Sequence, residues 1–252
     1  MQVENKYLII TADDYGVTPE VSLGIRESIE KGVVTCTSVM MNYVSNEDVE
    51  KLLRLKNKHS FGIGLHINLT QGFSFVKKKE FEFLWLNDLN YIKDEMLIQQ
   101  EKFISLFGEI DHINFHQHIH YDLRVLQEFL SLSEFNNIPV RYVNKIMQEI
   151  LRSYKRIIPD VFVNLFPLGA KPETFKQSLD NSISTFLNSN KEVTEWMVHP
   201  GYTSIALENL APNYAKRREI ELELLTNEEL LKIFEENNVI LKNFKEIFNV
   251  KY

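Results

Sequence analysis

The sequence predicts an α/β fold, a single-domain β/α barrel that need not be regular, with about seven or eight parallel strands. Short apolar runs alternate along the 252 residues with longer stretches of helical periodicity. Such alternation is typical of parallel strands joined by right-handed crossovers. No Gly-, Ser- or Pro-rich linker divides the chain, so we expect one domain over residues 1–252.

The predicted strands are the short apolar runs, which occupy 7–12, 37–41, 62–69, 112–118, 140–143, 161–165, 195–199 and 239–241. The predicted helices lie between them, at 19–30, 47–56, 93–107, 123–135, 145–154, 172–187 and 227–237. Capping signals support two boundaries. Thr18 precedes Pro19 at the start of the first helix, and Thr226 with Glu229 forms a capping box before the last.

One long segment, residues 71–90, lacks clear regularity and is rich in aromatic side chains. These are Phe73, Phe75, Phe81, Phe83 and Trp85. A segment of this length inside a compact domain is either a lid over a site or a packed insertion. We favour a lid, although its apolar surface would equally suit a neighbouring subunit in a homodimer.

The composition argues against some classes of binding partner and indicates the cellular compartment. A formal net charge of -7 argues against nucleic acid, whose phosphates require clustered Lys and Arg. We expect no membrane partner, because no apolar stretch approaches the ~18–20 residues of a span. Cys36 is the only cysteine, and we interpret it as a buried, inert thiol. The polar N-terminus lacks the pattern of a signal peptide, so we expect a cytoplasmic protein.

Polar residues that bind metals or protons follow several predicted strands. Asp13 and Asp14 end the first strand, and His66 lies in the third. The fourth carries polar residues at alternate positions, which a straight strand would direct to one face: His112, Asn114, His116, His118 and His120. Because active sites of β/α barrels lie at the carboxyl ends of the strands, these groups are expected to meet at one rim.

Each of these features has a simpler interpretation when taken alone. Paired Asp residues often cap a helix or form a turn, a lone His66 is usually a hydrogen-bonded core residue, and a run of His can be an adventitious metal trap. Their convergence on one rim favours a metal site. Since adjacent strand residues point in opposite directions, we expect one Asp to bind the metal and the other to act nearby. One carboxylate and two imidazoles leave positions open for water and substrate, as in catalytic sites.

The chain resembles the YdjC-like carbohydrate deacetylases, which include chitooligosaccharide deacetylases. The resemblance covers most of the sequence, and the motifs occur in the same order and spacing. They are Thr11-Ala12-Asp13-Asp14-Tyr15-Gly16, Thr35-Cys36-Thr37-Ser38, Gly64-Leu65-His66-Ile67-Asn68-Leu69-Thr70, the segment 112–120, and His199-Pro200-Gly201-Tyr202. One departure is Asn114, where many members of the family have Asp.

The resemblance implies a β/α barrel and one divalent metal ion, Mg²⁺ or Zn²⁺. The metal would be held by Asp14, His66 and His116, with Asp13 as the base and His199 as a candidate acid. Arg141 resembles the family's arginine near the metal. We expect contacts with substrate from Tyr15, His118, Arg141 and Tyr202, some by stacking on sugar faces, although for His118 a structural role is an equal alternative.

The expected function is therefore removal of acetyl groups from small N-acetylated saccharides. Water activated at the metal would attack the acetyl carbonyl after losing a proton to Asp13, and His199 would protonate the departing amine. Three alternatives stay open: a metal-dependent hydrolase of another amide or a phosphoester, a metal-independent glycosidase with paired carboxylates, and a non-catalytic sugar-binding or metal-storage protein. Sensitivity to chelator and release of acetate discriminate between them.

Overall fold

The fold is a curled sheet of parallel strands with helices packed around it, an irregular half-barrel. A computed structural model describes residues 6–167, 171–212 and 214–248. The strands are β1 (Tyr7–Tyr15), β2 (Cys36–Val39), β3 (Gly62–Ile67), β4 (Phe73–Ser74), β5 (Lys79–Glu80), β6 (Ile113–Phe115), β7 (Val161–Asn164), β8 (Val193–Val198) and β9 (Ile240–Leu241). The main sheet has the order β6-β3-β2-β1-β8-β7, with β9 beside β1.

The helices cover the sheet and connect its strands. They are α1 (Pro19–Glu30), α2 (Asn46–Lys56), α3 (Leu89–Phe107), α4 (Leu123–Ser131), α5 (Lys145–Ser153), α6 (Phe175–Asn188), α7 (Ile205–Leu210), α8 (Ala215–Leu225), α9 (Glu228–Glu236) and α10 (Phe244–Phe248). Among the residues described, no helix combines the length and the apolar character needed to cross a membrane.

The predicted fold class is confirmed, and the core explains why the strands read as apolar runs. The residues of β2, β3 and β8 are buried along their whole length. Parallel strands covered on both faces lose the alternation of polar and apolar residues that one-sided sheets show. Because all the strands of the main sheet are parallel, their carboxyl ends lie at one rim, and the site forms there.

Two predicted strands differ most from the observed ones. The prediction of a strand over 112–118 was wrong beyond Phe115, because the chain turns into a 3-10 helix over His116–Tyr121, with Gln117 and His118 at φ 52° and 53°. The strand predicted at 140–143 is reduced to one bridge between Val140 and Ile113. The alternating His pattern therefore ends where β6 ends.

Helix boundaries also differ where capping or composition misled the sequence analysis. Asn227, not Thr226, caps α9 and accepts a hydrogen bond from the Glu229 amide at 2.8 Å. Helices α7 and α8 were not predicted. The buried face of α8 carries Arg217, Arg218 and Glu221, and charged residues on a buried face conceal the apolar periodicity of a helix.

Residues 71–90 form the β4–β5 hairpin and a 3-10 helix over Phe83–Asn87. Glu95 of α3 holds the hairpin: its carboxylate accepts hydrogen bonds from the Ser74 hydroxyl at 2.8 Å and from the Phe75 and Val76 amides at 3.2 and 3.0 Å. Several aromatic side chains of the segment pack against the core. That the segment moves as a lid stays a prediction.

Candidate active site

Both carboxylates at the end of β1 face one cavity, although they are adjacent in the sequence. The pairing of β1 with β2 shifts in register between Ala12 and Tyr15, and Asp14 has φ 71°. This left-handed conformation is uncommon for residues other than Gly, and Asp tolerates it better than most. The bulge removes the opposed directions expected of neighbours in a strand, so that Asp13 and Asp14 both line the cavity.

Three side chains from three different strand ends converge on one point. Asp14 Oδ1 lies 3.1 Å from His66 Nε2 and 3.0 Å from His116 Nδ1. The two imidazole nitrogens lie 3.3 Å apart, and all three residues are buried. The side chains that the family resemblance named as ligands thus form a compact cluster, which is one of two clusters of metal-binding residue types in the described ranges.

The spacing of these three atoms fits a metal ion. Two atoms bound to one ion at about 2.1 Å, in directions roughly 90–110° apart, are themselves about 3.0–3.4 Å apart. The observed separations of 3.0–3.3 Å fall in that interval. A carboxylate with two imidazoles is also a ligand set of catalytic metal sites, with positions left for water and substrate. The residues present therefore fit a divalent ion.

Asp13 lies beside this cluster in a network of hydrogen-bond donors. Its Oδ1 accepts hydrogen bonds from Asn114 Nδ2 at 2.8 Å, Arg141 Nη2 at 3.0 Å and Ser38 Oγ at 3.1 Å. Arg141 Nη1 donates to the other carboxylate oxygen, and Arg141 also pairs with Glu195 at 2.7 Å. Burial by itself would raise the pKa of Asp13, but the charge and hydrogen bonds of Arg141, together with the nearby His66 and His199, outweigh burial and hold that pKa well below its usual range.

Arg218 is a site residue that the sequence analysis missed. It projects from α8, lines the cavity and donates from Nη2 to Asp14 Oδ2, while Asp14 Oδ1 faces the imidazoles. Burial would raise the pKa of Asp14, yet the charges of Arg218 and His116 keep it well below the ordinary value. The sequence shows Arg217 and Arg218 as a basic pair. Because no helix was predicted around them, this pair gave little indication that either residue reaches the site.

The cavity beside the cluster has a volume of about 430 Å³. This lies within the usual range for small-molecule sites, roughly 300–1,000 Å³. Part of its lining is apolar, formed by Val17, Phe115, Met197, Leu207, Leu210 and Ala211. The arrangement can therefore hold a small molecule with one end against the candidate metal site.

Two further histidines that the sequence singled out line the same cavity. His199 follows β8, and its backbone amide donates to the Glu221 carboxylate. Burial and nearby Arg218 lower the pKa of His199 to about 4. His118 lies beyond the end of β6, and burial together with the charge of Arg141 lowers its pKa to about 4. Both rings are neutral at pH 7.

Three predicted substrate contacts do not line the cavity. The hydroxyl of Tyr15 donates to the Asp48 carbonyl at 2.8 Å, within the core. The hydroxyl of Tyr202 donates to Glu27 at 2.7 Å, against α1. Arg141 has no exposed surface and binds carboxylates of the protein itself. Their hydrogen-bonding groups are engaged in the fold, and the arrangement gives no support to direct substrate contact by these residues.

The second cluster of metal-binding residue types lies at the opposite, amino end of the strands. Asp111 Oδ1 lies 3.1 Å from His112 Nδ1 and 3.9 Å from Cys36 Sγ, and Asp111 Oδ2 accepts from the Lys245 amide at 3.2 Å. Burial and the Asp111 charge raise the pKa of Cys36 well above its ordinary value. The neutral, buried thiol agrees with the inert role expected for it.

Known proteins that are similar to this chain include named carbohydrate deacetylases. A carbohydrate deacetylase of Clostridium beijerinckii is 32% identical to this chain, over 95% of it and 99% of the relative. A chitooligosaccharide deacetylase of Proteus mirabilis is 26% identical, over 95% and 98% of the two chains. A crystal structure from Enterococcus faecalis, of a protein provisionally named for cellobiose-phosphate cleavage, matches with a TM-score of 0.81 at 27% identity, over 96% and 99%.

The match to a family model is nearly as extensive as these pairwise similarities. The model described as YdjC-like protein matches residues 7–236, a range that contains all the residues of the candidate site. The resemblance seen in the sequence motifs is thus confirmed: this chain belongs to the YdjC-like protein family.

Proposed function

We propose that this protein is a metal-dependent carbohydrate deacetylase that removes acetyl groups from small N-acetylated saccharides, such as chitooligosaccharides. One observation carries the proposal. Asp14, His66 and His116 present three ligand atoms at the mutual spacing of a metal site, with the ionised carboxylate of Asp13 beside them in a cavity. The names of the relatives, carbohydrate deacetylase and chitooligosaccharide deacetylase, support the same reaction.

A divalent ion, Mg²⁺ or Zn²⁺, would be held by Asp14, His66 and His116. When bound, such an ion supplies a Lewis acid for the acetyl carbonyl and lowers the pKa of water. The buried Arg218 contacts only the second oxygen of Asp14. Asp14 therefore offers a single oxygen, Oδ1, to the cluster.

Asp13 is the proposed base, and it accepts the proton of the attacking water. The charge and hydrogen bonds of Arg141, together with the nearby His66 and His199, keep Asp13 ionised despite its burial, so the carboxylate is ready to accept a proton at neutral pH. Three donors on one of its oxygens also fix its orientation. A strongly lowered pKa makes Asp13 a weak base in isolation, so its effectiveness depends on a water molecule that is already acidified.

His199 is the proposed proton donor to the departing amine. It lines the same cavity as Asp13 and Asp14, and both carboxylates act electrostatically on its ring. Because its pKa is about 4, the ring is neutral at pH 7 in the free protein. It therefore acts as a donor only after it has accepted a proton, and the proton that Asp13 takes from the attacking water is the one that the reaction supplies.

The remaining wall of the cavity is proposed to bind the saccharide. His118 has a buried Nδ1 without a hydrogen-bond partner among the described residues, and it lines the cavity. That atom is itself covered, but His118 as a whole is only partly buried, so its ring can contact a substrate in the cavity, which supports the substrate contact proposed for His118. The apolar side chains of the wall can cover a sugar face or the acetyl methyl group.

Release of acetate tests the proposal directly. The purified protein would be incubated with a panel of N-acetylated mono-, di- and trisaccharides, after removal of metal with a chelator and after restoration with Mg²⁺ or Zn²⁺. We expect acetate release that is lost with the chelator and returns with metal. Binding of sugars with no acetate under any metal would instead support a non-catalytic role, and chelator-insensitive cleavage of glycosidic bonds would support a glycosidase.

Two features of the biological setting stay predictions. The single cysteine, Cys36, suits a reducing compartment such as the cytoplasm. A homodimer would cover apolar side chains that are exposed in the segment 71–90, where Phe83 and Leu84 are 68% and 74% exposed. Sedimentation or light scattering of the purified protein measures the oligomeric state.

A further inference from the structure

Two polar side chains, Asn114 and Ser38, connect the proposed base to one proposed metal ligand. Asn114 Oδ1 lies 2.5 Å from His66 Nδ1, and Asn114 Nδ2 donates to Asp13 Oδ1 at 2.8 Å. Ser38 Oγ donates to the same Asp13 oxygen at 3.1 Å and lies 3.3 Å from His66 Nδ1. Asp13 and His66 are thus joined twice, through an amide and through a hydroxyl.

The sheet register explains why Asn114 occupies this position. His66 of β3 pairs in register with Asn114 of β6, so the two side chains leave the sheet side by side on one face. β2, which carries Ser38, flanks β3 on its other side. Both bridging residues are fully buried, and neither needs a loop to place it.

The hydrogen bonds determine which nitrogen of His66 carries a proton. Arg141 donates to both oxygens of Asp13, which therefore acts as an acceptor. The amide NH₂ of Asn114 must then face Asp13, and its carbonyl oxygen must face His66. A carbonyl oxygen cannot donate, so the hydrogen lies on His66 Nδ1. Ser38 gives its single hydrogen to Asp13 and can likewise only accept from that nitrogen. His66 Nε2 is then left with its lone pair directed at Asp14 and His116.

We propose that Asn114 is a positioning residue that locks His66 in the Nδ1–H tautomer and ties this ligand to Asp13. The inference rests on the metal site of the proposed function. A metal ligand must present an unprotonated nitrogen, and the group bound to the other ring nitrogen decides whether it does. Without Asn114, the free energy of the Nδ1–H tautomer rises. The alternative tautomer gains a direct Nε2–H hydrogen bond to Asp14, which lies at 3.1 Å.

The amide also suits its second partner, Asp13. It is neutral and offers both a donor and an acceptor, so it satisfies a carboxylate on one side and an imidazole N–H on the other. A carboxylate in this place would direct an oxygen at Asp13 Oδ1, where the structure has the Asn114 nitrogen at 2.8 Å. The Asn side chain therefore holds both groups without adding charge.

The test compares Asn114→Leu with Ser38→Ala in the full-length protein. ¹⁵N NMR of the metal-free protein, above the pH at which His66 titrates, reports which ring nitrogen is protonated; a His66→Gln spectrum assigns the signal. We expect Nδ1–H in the wild type and in Ser38→Ala, and Nε2–H in Asn114→Leu. Chelator competition with Zn²⁺ should show affinity about 10–100-fold weaker for Asn114→Leu and close to wild type for Ser38→Ala.

A wild-type His66 protonated on Nε2 would overturn the inference, and so would an Asn114→Leu protein that binds Zn²⁺ as tightly as the wild type. If Asn114→Leu does not fold, the tautomers of the wild type and Ser38→Ala decide. Neither measurement depends on turnover. An inactive protein with Nδ1–H on His66 would contradict the proposed function and leave the tautomer lock intact.

Discussion

Asp13 and Asp14 are neighbours in the chain, but they have different partners. Asp14 divides its oxygens between the imidazole pair and Arg218. Asp13 is surrounded by donors and contacts neither of the imidazole nitrogens that form the cluster. The two carboxylates therefore suit different tasks, and substitutions should separate metal binding from proton transfer.

Replacement of Asp13 by Asn should abolish most turnover while metal content stays near that of the wild type. The three ligand atoms are unchanged, whereas loss of a general base costs about 10²–10⁴-fold in rate. Metal analysis and acetate release on the same sample measure both. Asp14→Asn is the matched control, because it should lose metal as well as activity. A metal-free Asp13→Asn protein would show that this division of roles is wrong.

Replacement of His199 by Ala should harm amide substrates more than activated acetate esters. An amine must be protonated as it leaves, whereas an activated phenolate leaves without that help. We expect a loss of about 10²-fold or more in kcat on N-acetylated sugars and a much smaller loss on an aryl acetate. Equal losses on the two substrates would remove His199 from the donor role.

At the scale of elements, one buried carboxylate joins the β4–β5 hairpin to α3. Glu95 is 1% exposed and accepts hydrogen bonds from three groups of the hairpin. Hydrogen bonds to a charged group contribute roughly 1.5–3 kcal/mol, more than neutral ones. The segment that includes Gln71 at the cavity is therefore held by α3 as well as by its own packing.

Glu95→Gln should loosen the hairpin, because a neutral amide cannot accept from all three groups with the strength of a carboxylate. We expect a loss of about 1–3 kcal/mol in the free energy of unfolding, and faster proteolysis within residues 71–87. Urea unfolding and limited proteolysis measure the two effects. Glu101→Gln on the same helix is the control, since Glu101 is exposed and its replacement should leave both unchanged.

At the scale of the whole molecule, buried neutral histidines make stability depend on pH. His120 is fully buried, its Nε2 donates to the Arg141 carbonyl at 3.2 Å, and its ring stacks on Phe115. Burial and the charge of His118 lower its pKa to about 3, from 6.5. Below about pH 6.5, His120 binds a proton in the unfolded chain. In the folded protein it stays unprotonated until the pH approaches 3.

The contribution of His120 to stability is therefore present above pH 6.5 and is progressively lost as the pH falls towards 3. For one such group, lowering the pH from 7 to 5 costs about 2 kcal/mol. Urea unfolding at both pH values measures it. His120→Gln, which can still donate to the Arg141 carbonyl, should reduce this pH dependence by about that amount. An unchanged dependence would show that His120 is protonated in the folded protein.

The sequence alone determined the fold class, the order of most strands and helices, and the rim at which the site forms. Parallel strands and crossover helices follow from local periodicity, and the topology of a barrel brings the carboxyl ends of its strands together. That is why the sequence alone places Asp14, His66 and His116 at one rim, where the structure brings them together.

The tertiary structure decided the rest, because long-range contacts set the directions of side chains. A register shift turns Asp14 into the cavity beside Asp13. Left-handed residues at Gln117 and His118 separate His118 and His120 from the pattern of alternate polar residues in the strand. Arg218 reaches Asp14 across 204 positions of sequence from a helix whose buried face is charged. Local patterns carry no information on such contacts, whose geometry is set by the packing of the whole chain.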